Sequence, residues 1–258
     1  MMMRVLSVGL LAGLLAGVVV ATLQNFTTTP LILQAEVFES AAPEKKASLH
    51  DDMIVHTVAS DMPHFILVHS DAEHAHGGAE EWAPADGAER ILYTSTATIA
   101  ASIGFAFLLI AGMLLAGDTI NERTALAWAA AGFVVTGLAP AVGLSPELPG
   151  MPAADLFARQ GWWVLTASLT GLSLWLFLRT DNVSLKLVAI LLLIAPHIVG
   201  APHLVEGEAS RVPAELAARF AATSLAVHAV LWIATGIAVG LLWPALARVG
   251  VPAAESRA

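Results

Sequence analysis

Six of the nine histidines in this sequence fall in one stretch: His50, His56, His64, His69, His74 and His76. Asp51, Asp52, Asp61, Asp71 and Glu73 lie among them. Neutral imidazole together with carboxylate suits borderline divalent transition metals, whereas a soft Cu(I) site would want thiolate or thioether. The chain has no cysteine, which also removes disulfides, Cys-ligated zinc, iron–sulfur clusters and thiol nucleophiles. His69, Asp71, Glu73, His74 and His76 offer several ligands from one short strand of chain. No HExxH spacing occurs, so the pattern describes a loose, low-affinity collecting segment rather than a preformed catalytic zinc centre. Two other readings stay open: a solvated acidic segment with incidental histidines, and a pH sensor, since imidazole beside carboxylate titrates near neutrality.

A second cluster sits in apolar surroundings. Ala195-Pro196-His197 recurs as Ala201-Pro202-His203, with Gly200 between them, and Glu206 and Glu208 follow. Each proline lacks an N–H and frees a carbonyl, and glycine permits unusual dihedrals. A broken helix end with two imidazoles and free carbonyls is one way to hold an ion at a membrane mouth. His228 lies within a long apolar run, where an ionisable side chain faces a cavity, a pathway or a satisfying carbonyl. Glu147 sits in Leu144-Ser145-Pro146-Glu147-Leu148-Pro149-Gly150-Met151-Pro152, a connector too rich in proline to be slack.

The elements that position these residues follow from composition. Hydrophobic residues make up 57% of the 258 and charged residues 13%, against about 45–50% and roughly 25% in soluble domains. This is an integral membrane composition. The net charge of −9 argues against a nucleic-acid binder. That charge belongs to residues 24–93, which hold twelve acids and three bases, while the remainder is neutral. No GxSxG elbow, Walker loop or dinucleotide fingerprint is present, so nothing points to an enzyme.

A spanning helix needs about 20 apolar residues. Charge-free runs predict six spans, at 5–23, 94–117, 124–142, 162–178, 187–205 and 220–246. The fifth is the weakest, because Pro196, His197, Pro202 and His203 should break its second half. The first resembles a signal peptide in having Arg4 ahead of it, but its apolar run exceeds a usual h-region. Gly9, Gly13 and Gly17, interleaved with Ala12 and Ala16, instead suggest a small-residue stripe for close helix packing. Trp162 and Trp163 read as an interfacial anchor. The expected fold class is therefore all-α, a polytopic integral membrane helical bundle of about six transmembrane helices, five if the first or fifth is discounted. It forms a single membrane domain, residues 1–258, with a long outer acidic loop over 24–93.

Six spans return both termini to one side. Arg4, Arg123, Arg179, Lys186, Arg248 and Arg257 crowd the short segments on the side of the N-terminus, and the other six bases are spread through much longer segments. Positive residues favour the cytoplasmic side, so both termini are expected inside and the His-rich loop outside.

The sequence resembles the CbtA family, proposed cobalt transporter subunits of bacteria. The resemblance is carried by the first span running into Thr29-Pro30-Leu31-Ile32-Leu33-Gln34-Ala35-Glu36-Val37-Phe38-Glu39, and by the loop ending Glu89-Arg90-Ile91-Leu92-Tyr93-Thr94. It extends through residues 143–163, the Ala-Pro-His pair and the final Glu215–Trp232 stretch, in order and over nearly the whole chain. It implies a permease component of the bacterial cytoplasmic (inner) membrane for Co2+, with Ni2+ or Zn2+ as alternatives and no permanently bound cofactor. It also implies a small single-span, His-bearing partner of CbtB type beside the lipid bilayer, and leaves homo-oligomerisation open. Glu36, Glu147, His197, His203 and His228 become the candidates for the ion path. The rival reading is a membrane scaffold that senses or buffers metal without moving it.

Overall fold

The charge-free runs form helices. The computed structural model describes residues 1–40, 84–203 and 210–249, and among these the regular structure is entirely helical. Helix α1 (Met2–Phe26) turns at Thr27 into a short α2 (Thr28–Ser40). Then come α3 (Ala88–Leu115), α4 (Glu122–Phe133), a π turn (Val134–Leu138) and α5 (Ala139–Gly143). The remaining helices are α6 (Leu156–Arg179), α7 (Val183–Val199) and α8 (Ala214–Val249). Five segments are long and apolar enough to cross a bilayer: α1, α3, the continuous run Glu122–Gly143, α6 and most of α8. The sixth, α7, has 17 residues, about 26 Å at 1.5 Å per residue.

Local chemistry extends several helices beyond their apolar runs. Helix α3 starts six residues before Thr94 because Arg90 is neutralised by Glu36 and Asp86. The α6 N-terminus is capped by Asp155, whose Oδ1 accepts from the Ala158 N–H at 2.8 Å. Asn182 caps α7 and Asn121 caps α4, the latter in a reciprocal capping box with Thr124.

The expected break of the fifth span at Pro196 does not occur there. Helix α7 runs through Pro196 and His197 and stops at Gly200, whose φ of 85° lies in the left-handed region. Proline removes one hydrogen bond from the ladder, and the helix goes on until glycine lets the backbone turn out of it. Only the second Pro-His pair is outside helix.

Small residues set the packing. A Cβ at Gly13 would lie 2.3 Å from the Ile103 Cα, and one at Gly17 would lie 2.7 Å from the Ile99 Cα. The predicted stripe is thus the face on which α1 meets α3, backbone close to backbone. On the opposite pair, Gly240 and Gly236 of α8 approach Glu122 and Ala129 of α4 equally closely. The shared core joins Val8, Ile110, Met113, Ala125 and Val239. Trp162 is buried against α7 and donates to the Pro196 carbonyl at 3.3 Å, so it packs α6 on α7, while Trp163 beside it stays exposed.

These antiparallel pairings define two ends. One carries Arg4, Asp118, Arg179 and Trp243, since Arg4 donates to the Trp243 carbonyl and Arg179 pairs with Asp118. The other carries α2, the α5–α6 connection, Gly200–His203 and the start of α8. There Leu31 and Ala35 of α2 pack with Leu148, Val212 and Leu216. Residues 28–40, part of the acidic loop by sequence, therefore open that loop as a docked helix.

Candidate functional site

The candidate residues are distributed as follows. His50, His56, His64, His69, Asp71, Glu73, His74 and His76 lie outside the described residues, as does Glu206. Glu36, Glu147, His197 and His203 all sit at the Glu147 end of the bundle, while His228 lies deeper, inside α8. Among the described residues no three His, Asp or Glu side chains converge as a metal centre.

The two carboxylates are already engaged. Glu36 pairs with Arg90 across 54 residues of sequence, tying α2 to α3. Glu147 accepts from Arg159 Nη2 at 2.6 Å, with both side chains about a quarter exposed. The Arg159 Nε is buried and finds no acceptor among the described residues. His197 contacts Trp162 edge-on, with ring centroids 6.0 Å apart, and its Nδ1 is buried without a partner among the described residues. His203 is exposed and folds back over the helix end, where a Cβ at Gly200 would lie 3.8 Å from its Nε2.

A cavity of about 640 Å3 links this end to the bundle interior. It begins among Ser145, Glu147 and Arg159 and ends at Thr136 and His228. At ~30 Å3 per water, that space could hold on the order of twenty molecules. A smaller recess of about 270 Å3 reaches His228 from the α1–α3 side and is lined by hydroxyl and amide groups, including Gln24, Thr98, Ser102 and Ser224. Gln24 Oε1 accepts from Thr98 Oγ1 there at 2.8 Å.

His228 is held by neighbours of a kind different from the carbonyl expected by the simplest structural reading. Its Nε2 lies 3.1 Å from Trp232 Nε1 and 3.0 Å from Thr136 Oγ1, and the indole also donates to Thr136 at 3.0 Å. Thr136 donates its own hydroxyl proton to the Gly132 carbonyl at 2.8 Å, so its oxygen is the shared acceptor of the cluster, open to the indole N–H and to a proton on His228 Nε2. Phe105 meets His228 and Trp232 edge-on, at 5.7 and 5.2 Å between centroids. Room for both rings comes from α4: a Cβ at Gly132 would lie 2.4 Å from the Trp232 ring, and one at Gly137 would lie 2.6 Å from the His228 ring.

Thr136 owes its position to the π turn. The Ala139 N–H bonds the Val134 carbonyl five residues back, and Pro140 has no N–H to offer the carbonyl of Thr136. Such wide turns recur at functional sites in membrane helices and elsewhere. Thr136, Trp232 and Arg159 were not among the residues singled out from sequence. Pro140 inside an apolar run was the available signal for the first and the place one helical turn after His228 for the second, while nothing local marks Arg159.

No curated protein and no solved structure matches the chain. It does match the family described as probable cobalt transporter subunit (CbtA) over residues 2–244. With nearly its whole length covered, this multi-pass helical membrane protein belongs to the CbtA family.

Proposed function

We propose that this chain is the membrane permease component for uptake of a divalent transition metal, Co2+ in the first place. The observation that carries this is the cavity running from Glu147 and Arg159 to His228, inside a member of a transporter-subunit family. An imidazole at the inner end of a cavity large enough for water offers a borderline ion a ligand in exchange for its hydration shell. In this reading the Glu147 end faces outside the bacterial inner membrane and both termini face the cytoplasm. His50–His76 and the acids among them raise the local cation concentration, and His197, His203 and Glu206 stand at the mouth. Glu36 and Glu147 act there as the acidic halves of ion pairs that cancel Arg90 and Arg159, so the rim does not repel a cation. No nucleotide-binding motif occurs in the sequence, so the driving force is a gradient or a partner subunit, for which a small single-span His-bearing protein is the candidate.

The test is Co2+ and Ni2+ accumulation by vesicles carrying the chain, with and without that partner and with His228→Ala in parallel. Saturable uptake that exceeds empty vesicles and falls in the variant is the expected result. Uptake equal to empty membranes in both the presence and the absence of the partner would overturn the permease reading and favour a sensing or buffering scaffold.

A further inference from the structure

The cavity that ends at His228 is not the only one in contact with this cluster. A second, of about 340 Å3, lies on the far side of Thr136 and Trp232 and extends toward the Arg4 end, where Trp128, Trp175 and Arg179 line it. The two share a wall residue, Thr136. The α4 span, α6 and α8 line both, and α3 joins them at the second through Leu108 and Leu109. Along the α4 span, Ala141 and Gly137 face the first cavity, and Gly132 and Trp128 face the second. Along α6, Arg159 and Trp163 face the first, and Gly171 and Trp175 face the second.

We propose that the two cavities are halves of one membrane-crossing route, closed between them by the Trp232 indole, and that a borderline divalent cation opens it by taking the place of that indole on His228 Nε2 and Thr136 Oγ1. This rests on the permease reading and adds the gate and the ligand pair. Trp232 occupies the position where both functions meet. Its Nε1 lies 3.1 Å from His228 Nε2, the ring nitrogen beside the Thr136 hydroxyl and the one a Co2+, Ni2+ or Zn2+ ion would bind together with that oxygen. The ring itself fills the space left by Gly132, at the border of the two cavities. Swinging the indole away exposes nitrogen and hydroxyl ligands at one point and removes the plug in the same movement. The second cavity is mostly apolar, so it offers an ion leaving His228 no competing ligand and can pass it on only with water around it. At its far end Trp128 Nε1 donates to Asp118 Oδ2 at 2.8 Å, and Arg179 pairs with the same carboxylate.

Because the sequence contains no cysteine, an introduced thiol is the only one present. Ala141→Cys and Ala131→Cys place single thiols in the first and second cavities. In membrane vesicles of both orientations, a membrane-impermeant methanethiosulfonate should label Ala141→Cys from one side only and Ala131→Cys from the other only. Adding Trp232→Ala should raise labelling of Ala131→Cys from the Glu147 side by about tenfold or more. Trp232→Phe, which keeps a ring and loses the N–H, guards against misfolding: it should preserve the sidedness while Co2+ slows labelling of Ala141→Cys at lower concentration than in the parent. An Ala131→Cys thiol that no aqueous reagent reaches from either side would make the second cavity a lipid-filled groove and overturn the proposal. Unchanged sidedness with Trp232→Ala would overturn the gate. Neither readout requires transport, so an inactive permease and a wrong gate give different results.

Discussion

Arg4, near the start of the first helix, donates through Nε to the main-chain carbonyl of Trp243 at 2.9 Å, and its guanidinium lies 4.2 Å from the centre of that residue's indole. A carbonyl close to the end of α8 is thereby satisfied by a side chain 239 residues away, and a cation is stacked on an aromatic face. Arg4→Ala should lower stability in detergent by about 1–2 kcal/mol. Arg4→Lys should lose part of that, because lysine cannot present the planar fork. Thermal unfolding of the two variants side by side checks both.

The α1–α3 crossing gives a sharper contrast. Gly13→Ala puts a methyl group 2.3 Å from the Ile103 backbone, a contact that requires the helices to part. The expected cost is about 1–3 kcal/mol. Gly104→Ala, one residue along α3 from Ile103, meets nothing within 4 Å and should be neutral or slightly stabilising through helix propensity. Equal melting temperatures for the two variants would show that close approach does not govern this interface.

Acid should loosen the Arg4 end. The Asp118 carboxyl is held below the usual carboxylate range by the hydrogen bond from Arg179, then by that from Trp128. A folded-state pKa lowered in this way contributes stability at pH values above the unfolded pKa, and the contribution is lost as pH falls through the folded value. The difference in thermal midpoint between the parent and Asp118→Asn should therefore stay constant from pH 8 down to about 5 and shrink as pH falls below the unfolded carboxylate value of about 3.9. A difference that changes between pH 8 and 6 would assign the effect to histidine.

Removing residues 50–76 separates collection from translocation. If the His-rich segment concentrates ions for the bundle, the deletion should raise the Co2+ concentration for half-maximal uptake while leaving the maximal rate nearly intact. Measured at fixed ionic strength, a fall in maximal rate with unchanged affinity would place the segment in the translocation step instead.

The helical membrane character was legible because it rests on long runs without charge, where a single physical requirement decides the outcome. The Gly9-Gly13-Gly17 stripe was legible for a similar reason: four-residue spacing puts the three on one face of a helix, and absence of side chain is itself the signal. The helix ends were less so. Arg90 extends α3 only because Glu36 lies across from it, a pairing 54 residues apart that no local pattern carries. Pro196 misled because a proline costs a helix only the bond to the carbonyl four residues back, here Leu192, and the next bond of α7, from the Gly200 N–H to the Pro196 carbonyl at 3.0 Å, is made. His228 could be picked out as an ionisable residue in an apolar run, but its partners could not. Trp232 stands one helical turn from His228, but Thr136 is an ordinary hydroxyl until the fold sets 92 residues of separation aside.

The π turn in the middle of the α4 span has a consequence for how this membrane segment can vary. A five-residue turn holds one residue more than an α-helical ladder accommodates, so it sets the angular phase between the two halves of the span. Deleting a single residue from Val134–Leu138 would let the ladder close as ordinary α-helix with the far half still in phase, whereas keeping all five and winding them as α-helix would rotate everything beyond by about 100°. Ala141 and Leu144 would then face another quarter of the bundle, and the cavity would lose that wall although each of its side chains was still present. Pro140, by withholding the N–H that would close the turn on the Thr136 carbonyl, therefore helps keep that wall of the cavity in place.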